Sequence, residues 1–262
     1  MKILVTGHAG FLGAHLCRRL LEENHEVVGR DVVSESPTLR VLGVKVPVRD
    51  DWPDVDGVIH LAGQSHISLG QERPAETWET NVRLTWECLE AYRGTPTRVV
   101  LAASNHCRVR DVYGTSKEMV ALLADCYRHS WGMPVTALIH VNAYGPADPH
   151  PSHLVTGAIL DCLLGQRPIL RSDGTPRKGY LFVEDVVEAY RLCLVHDLPG
   201  RTVAAAPSVS ALDMARLVMA AAWMPGEPEV LATDLSQSGY EEVWQSSPQL
   251  RALGWSPRDP AT

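Results

Sequence analysis

Ser104, Tyr113 and Lys117 are residue types that can move a proton beside a hydride transfer. A tyrosine whose pKa is lowered by a neighbouring ammonium is a suitable base for a hydroxyl whose carbon is being oxidised. Lysine supplies the ammonium, and a serine hydroxyl can hydrogen-bond the reacting oxygen. The four-residue step from Tyr113 to Lys117 puts both on one face of a helix. Ser104 ends the apolar run TRVVLAAS, which reads as a strand. Taken alone, a Tyr and a Lys four apart are also what an exposed helical pair looks like, so the surrounding elements have to decide.

A second group of residues lies at the N-terminal end. TGHAGFLG places Gly7, Gly10 and Gly13 between the strand pattern KILVT and the helical pattern FLGAHLCRRLLEEN. Glycines let a backbone turn tightly and approach a pyrophosphate, and a helix N-terminus offers free N–H groups with a positive dipole end. The next strand pattern, HEVVGRD, ends in Asp31. A carboxylate there can accept hydrogen bonds from an adenosine ribose diol and repel a 2′-phosphate, which favours NAD over NADP. Arg30 beside it pulls the other way, because an Arg can accept that phosphate.

The elements that must position these residues alternate. Strand patterns at 2–6, 25–31, 44–48, 56–63, 97–104 and 134–141 are separated by helical patterns at 11–24, 76–93 and 117–131. Such alternation predicts an α/β fold of Rossmann type, a doubly wound parallel sheet with helices on both faces. After YGP at 144–146 the elements shorten, with helices expected near 153–164, 183–195 and 210–222 and a last unit at 246–257. The expected division is residues 1–146 as the nucleotide-binding domain with the candidate catalytic residues, and 147–262 as a small substrate-binding lobe. Some elements of the lobe return to the sheet.

Bulk properties narrow the function. The 262 residues carry 24 basic and 31 acidic side chains, a net charge of −7, with no basic stretch. Nucleic acid and anionic membrane surfaces are therefore not expected partners. The six cysteines are scattered without a CxxC pair, which fits reduced thiols rather than a disulfide framework or a zinc site. His150 and His153 in PHPSH lack a Cys or carboxylate at ligand spacing, so a loop or substrate contact is expected there and no metal. No apolar run reaches membrane-spanning length, and MKILVTG reads as a buried strand rather than a secretion signal. A cytoplasmic protein is expected.

Several motifs occur in a telling order: TGHAGFLG, HLAG (60–63), TNV (80–82), YGTSK, VNAYGP (141–146), SDGTPRKGYLFVEDVVEAY (172–190) and SSPQLRALGW. Together they resemble the extended short-chain dehydrogenase/reductases, the NAD-dependent epimerase/dehydratase family. The likeness covers nearly the whole chain and is strongest to the CDP-glucose 4,6-dehydratase branch. It implies an enzyme acting on a nucleotide-activated sugar, NAD as cofactor, and a homodimer formed through two helices per subunit. It assigns Gly7, Gly10, Phe11, Leu12, Gly13 and Asp31, with Leu61, Ala62 and Gly63, to the cofactor, and makes Asn81 structural. It assigns Ser104, Tyr113 and Lys117 to catalysis, the last two also touching the cofactor, and Asn142, Lys178 and Arg251 to the substrate.

The chain departs from the family pattern in three places. Dehydratases carry an acid-bearing pair directly after the Ser/Thr, where this chain has Asn105 and His106. Asn cannot act as an acid at neutral pH, whereas His106 can be acid, base or substrate contact. The Ser-Asn-His run is locally similar to that of uronate dehydrogenases. Only eight residues separate Ser104 from Tyr113, so the long excursion that covers the substrate in the family is missing and a more open site is expected. Lys178-Gly179 replaces an Arg-Asp, giving a point charge where the family has a bidentate grip; Arg171, Arg177 and Arg251 are candidate replacements. An acid expected near the adenine is Pro47, followed by Asp50 and Asp51. The leading expectation is a sugar-nucleotide 4-epimerase. A ketoreductase or dehydrogenase, a 4,6-dehydratase, and a catalytically weakened binding protein stay open.

Overall fold

The computed structural model describes residues 1–259. In chain order its first elements are β1 (Lys2–Thr6), α1 (Phe11–Glu22), β2 (Glu26–Arg30), α2 (Pro37–Leu42), β3 (Gly57–His60), α3 (Ile67–Glu72), α4 (Pro74–Thr77), α5 (Leu84–Tyr92), β4 (Arg98–Ala102), α6 (Val112–Trp131) and β5 (Val135–His140). They are followed by β6 (Asn142–Tyr144), α7 (Leu154–Leu163), β7 (Ile169–Leu170), β8 (Arg177–Phe182), α8 (Val183–Val195), β9 (Arg201–Ala204), β10 (Ser208–Ser210), α9 (Ala211–Ala221), β11 (Glu229–Val230) and α10 (Pro248–Ala252).

The chain divides into two compact units. The first comprises 1–140, 184–204 and 246–255. Its core is a six-stranded sheet in the order β2-β1-β3-β4-β5-β9, every pairing parallel. Ile3, Leu4, Val5, Val58, Ile59, Val100, Leu101, Val135 and Leu138 are fully buried. Runs this apolar are what a parallel sheet covered on both faces requires. This is the expected Rossmann-type sheet, and its strands point their C-terminal ends toward Gly7, Asp31, Leu61 and Ser104.

The second unit comprises 141–183, 205–245 and, among the described residues, 256–259. It holds a three-stranded sheet, β10-β8-β6, and a two-stranded one, β11-β7. Val155 on α7, Tyr180 on β8 and Met214 on α9 form its apolar centre.

Several expectations need correction. Residues 44–48 do not form a strand. Only Val48 bridges Gly29, where Gly29 N–H donates to the Pro47 carbonyl and Arg49 N–H to the Gly29 carbonyl. Pro47 has no N–H to extend a ladder. The unit boundary falls after His140 rather than Pro146, because β6 pairs with β8 and not with β5. The helical stretch 76–93 is not uniform: Trp78–Arg83 forms a π-helical turn between α4 and α5. The helix expected from 117 begins at Val112, one turn earlier, with the Asp111 side chain capping it.

Candidate active site

The glycine loop is built for close approach. Gly7 sits at φ +69°, and a Cβ there would lie 2.7 Å from the Ala62 nitrogen. A Cβ on Gly13 would lie 2.1 Å from the Gly7 carbonyl oxygen. No other residue fits either place. Gly10 caps α1 without a side-chain hydrogen bond, and the first turn, Phe11, Leu12 and Gly13, carries no acidic residue. The first-turn N–H groups are thus left for an anion, as dinucleotide binding demands. Asp31 stands at the same edge: its Oδ2 accepts the Ala9 N–H at 3.0 Å and its Oδ1 the Val32 N–H at 2.7 Å. The Arg30 guanidinium lies over the Trp52 ring, 3.9 Å from its centroid. These residues fit a dinucleotide.

The Leu61–Gly63 segment is tied down from below. Thr6 Oγ1 accepts the Ala62 N–H at 3.2 Å and shares a 2.7 Å hydrogen bond with His60 Nδ1. His60 is fully enclosed. Burial, with the Lys117 and Arg30 charges adding, lowers its pKa to about 3, so it stays neutral. From the side, Asn81 holds the next residue: its Oδ1 accepts the Gln64 N–H at 2.7 Å, and its Nδ2 donates to the Gln64 carbonyl at 3.1 Å and to Ser116 Oγ at 2.9 Å. Ser116 Oγ donates to the Tyr113 carbonyl at 2.7 Å. The π-helical turn places Asn81 here, in keeping with the habit of π-turns to occur where a helix positions a functional group.

Ser104, Tyr113 and Lys117 are brought together by a short connection. Asn105–Arg108 form a single 3₁₀ turn that folds back onto the start of α6. Gly114 makes this possible: a Cβ there would lie 2.4 Å from the Val109 carbonyl oxygen and 2.5 Å from that of His106. Ser104 Oγ accepts the His106 N–H at 3.2 Å and donates to Asn105 Oδ1 at 3.2 Å. Tyr113 is buried, which holds its phenol above the ordinary pKa; hydrogen bonding to Ser104 works in the opposite direction by favouring the phenolate. Lys117 Nζ donates to the Ala102 carbonyl at 3.1 Å, and burial lowers its pKa to about 8. A Cβ on Gly63 would come within 3.5 Å of that ammonium. The glycine loop, the Leu61–Gly63 segment and the Ser-Tyr-Lys set therefore share the C-terminal edge of one sheet.

The NAD dependent epimerase/dehydratase family matches residues 3–206. The chain belongs to that family, within the extended short-chain dehydrogenase/reductases. It is 29% identical to a dTDP-4-dehydro-6-deoxy-D-allose reductase of Streptomyces bikiniensis, over 88% of this chain and 83% of the relative. It is 26% identical to a UDP-glucose 4-epimerase of Mycolicibacterium smegmatis, over 98% and 94%. Among solved structures, a Thermus thermophilus UDP-glucose 4-epimerase in complex with NAD superposes with a TM-score of 0.83 at 26% identity, covering 98% of this chain and 94% of that one. The chain is thus an enzyme of the epimerase/dehydratase family.

The other expected site residues are divided between the two units. Asn142 and Lys178 belong to the second unit. Asn142 Nδ2 donates to the Gly179 carbonyl at 2.9 Å. Lys178 is held below its usual pKa by burial, with the Glu242 charge acting against that. Glu242 also accepts the Gly179 N–H at 3.1 Å. Arg177 is engaged, donating to the Ser208 carbonyl at 2.8 Å and paired with Glu241. Arg251 is exposed on α10 of the first unit. Asp51 is in an exposed pair with Arg49. His153 Nδ1 meets the enclosed Asp148 carboxylate at 2.8 Å, so a carboxylate does accompany the His pair, five residues upstream.

Sequence reasoning missed four residues that shape the site: Thr6, His60, Asp111 and Ser116. Only Asp111 carried a local signal, an acidic residue just before a helical pattern. It meets His106 Nε2 at 2.6 Å, with the His106 ring centroid 5.7 Å from that of Tyr113.

Proposed function

We propose that this enzyme is a nucleotide-sugar 4-epimerase that keeps its NAD through the cycle. The observation that carries the proposal is the placing of Tyr113, Ser104 and Lys117 at the Gly63 edge of the glycine cradle. NAD, when bound, supplies a hydride acceptor and donor. Tyr113 takes the proton of the sugar hydroxyl. Ser104 rotates its O–H from Asn105 toward the reacting oxygen. Lys117, which donates to the Ala102 carbonyl, would hold the cofactor's ribose, and its ammonium would offset the burial that holds the phenol protonated.

Two relatives of nearly full length bear the 4-epimerase name, which supports this reaction over others. Asn105 supplies no acid, which weighs against dehydration. Asp31 supports NAD over NADP, and Arg30, engaged with Trp52, does not compete for that role. Trp86 on α5 and Met119 and Leu122 on α6 are exposed apolar side chains, which supports a homodimer through these helices. Asn142, Lys178 and Arg251 remain proposed substrate contacts. The reductase relative favours a second reading, a nucleotide-sugar ketoreductase with an exchanging cofactor.

The test is to denature the purified protein and identify the released nucleotide by mass spectrometry. Near-stoichiometric NAD, with interconversion of UDP-glucose and UDP-galactose without added cofactor, is expected. Protein that releases none and needs added NADH to turn over a 4-keto sugar nucleotide is the ketoreductase. Tyr113→Phe should fold and bind NAD while losing about a thousandfold in turnover. Undiminished turnover removes Tyr113 as the base.

A further inference from the structure

Epimerisation is neutral in protons, because what Tyr113 takes from the sugar it gives back. Net reduction of a ketone is not: Tyr113 must be reloaded from water each turnover. A device for reloading it lies beside the ring. His106 Nε2 is 2.6 Å from Asp111 Oδ2, while Asp111 Oδ1 accepts the Gly114 N–H at 2.6 Å as the cap of α6. The carboxylate is thus fixed at both oxygens, and it fixes the imidazole. This is the arrangement of an acid–base group with its orienting partner. With Nε2 engaged, Nδ1 is the ring nitrogen left for proton exchange. The His106 side chain is 19% exposed and Asp111 15%, so the pair spans from a buried phenol to the surface. Its backbone N–H is already bonded to Ser104 Oγ, the hydroxyl that Tyr113 uses.

We propose that His106, oriented by Asp111, is a proton relay between Tyr113 and solvent, which equips this site for net reduction or oxidation whenever the nicotinamide cofactor is exchanged, in addition to epimerisation with the cofactor retained. The inference rests on Tyr113 being the redox base. In the reducing direction a nicotinamide dinucleotide is the reductant and Tyr113 gives its proton to the ketone oxygen. The phenolate is then reprotonated: the N–H bond of the His106 imidazolium breaks, and its proton passes through Ser104 or one water to the tyrosine oxygen. Neutral His106 takes a proton from water at its exposed edge. Asp111 is a positioning residue that holds the imidazole through Nε2. Neither side chain changes oxidation state.

The test uses the full-length protein with NADH in excess and a nucleotide 4-keto-6-deoxyglucose as probe, followed over many turnovers. His106→Ala is expected to slow reduction about a hundredfold, and imidazole in the buffer to restore at least about tenfold of that. Asp111→Asn keeps a good helix cap, so it should retain the thermal midpoint while slowing reduction about tenfold. A His106→Ala protein at wild-type rate, or one that imidazole does not rescue, overturns the relay. A wild-type protein that epimerises nucleotide sugars but does not reduce the probe also overturns it. Wild-type protein that does neither overturns the nucleotide-sugar reading instead, and the relay is then decided by NMR. In the NAD-loaded protein the exchange of the His106 ring N–H with water should slow when Tyr113 becomes Phe. An unchanged exchange rate overturns the coupling.

Discussion

The Lys117 ammonium donates to the carbonyl of Ala102, the last residue of β4, at 3.1 Å. One peptide dipole holds a charge that burial disfavours. Its pKa falls from 10.5 to about 8, so the folded protein binds fewer protons than the unfolded chain between those values. Stability from this group therefore rises as pH passes from about 8 to 10.5, by up to ~3 kcal/mol. Without cofactor, Lys117→Met should be more stable than wild type at pH 7, and that advantage should shrink by pH 10. Urea unfolding of both proteins at several pH values checks this, and a difference that stays flat with pH would refute it.

Gly13 and Gly10 should respond differently to alanine. A Cβ at Gly13 meets backbone at 2.1 Å, whereas one at Gly10 has as its nearest neighbour the Gly7 oxygen at 3.2 Å. Gly13→Ala is expected to cost about 2 kcal/mol and lower the thermal midpoint by ~5 °C. Gly10→Ala should keep the fold and lose NAD affinity, because the added methyl stands at the N-terminus of α1, the proposed seat of the cofactor's phosphates. Calorimetry measures both. Equal thermal midpoints for the two variants would count against the cradle as described.

Asp31→Ala should weaken NADH binding about tenfold to a hundredfold, by loss of charge-assisted hydrogen bonds to the ribose. NADPH binding should hold or improve, because the repulsive carboxylate is gone. Fluorescence titration with each cofactor reads the ratio. Parallel loss of both would mean that Asp31 only shapes the loop through Ala9 and Val32.

Trp86→Glu combined with Leu122→Glu should convert a dimer into a monomer in sedimentation velocity. The circular dichroism spectrum should be unchanged, since both side chains are exposed in the single chain, at 51% each. A wild-type protein that sediments at its 28.7 kDa chain mass would end the helix-pair proposal.

Some of this was legible in the amino-acid order because it depends on near neighbours. Strands at 2–6 and 97–104, as short continuous apolar runs, and helices at 11–24 and 117–131, from a period of 3.6 residues, are legible with the glycines between them. The Tyr113–Lys117 spacing is likewise a local fact. Even local signals failed where backbone chemistry intervened: the apolar alternation at 44–48 was defeated by the missing N–H of Pro47.

What only the tertiary structure decided is which distant groups share an atom. Asn81 faces Gln64 and Ser116, across 17 and 35 residues, because a π-turn rotates it there. β9 joins the sheet beside β5 only after residues 141–183 have passed through the second unit and α8 has returned to the first. Asp111 caps α6, and folding the 3₁₀ turn over Gly114 also makes it the partner of His106. Local periodicity specifies the face a side chain takes on its own element. Burial and the need to satisfy polar groups across elements specify what that face meets, and those constraints exist only once the chain is closed on itself.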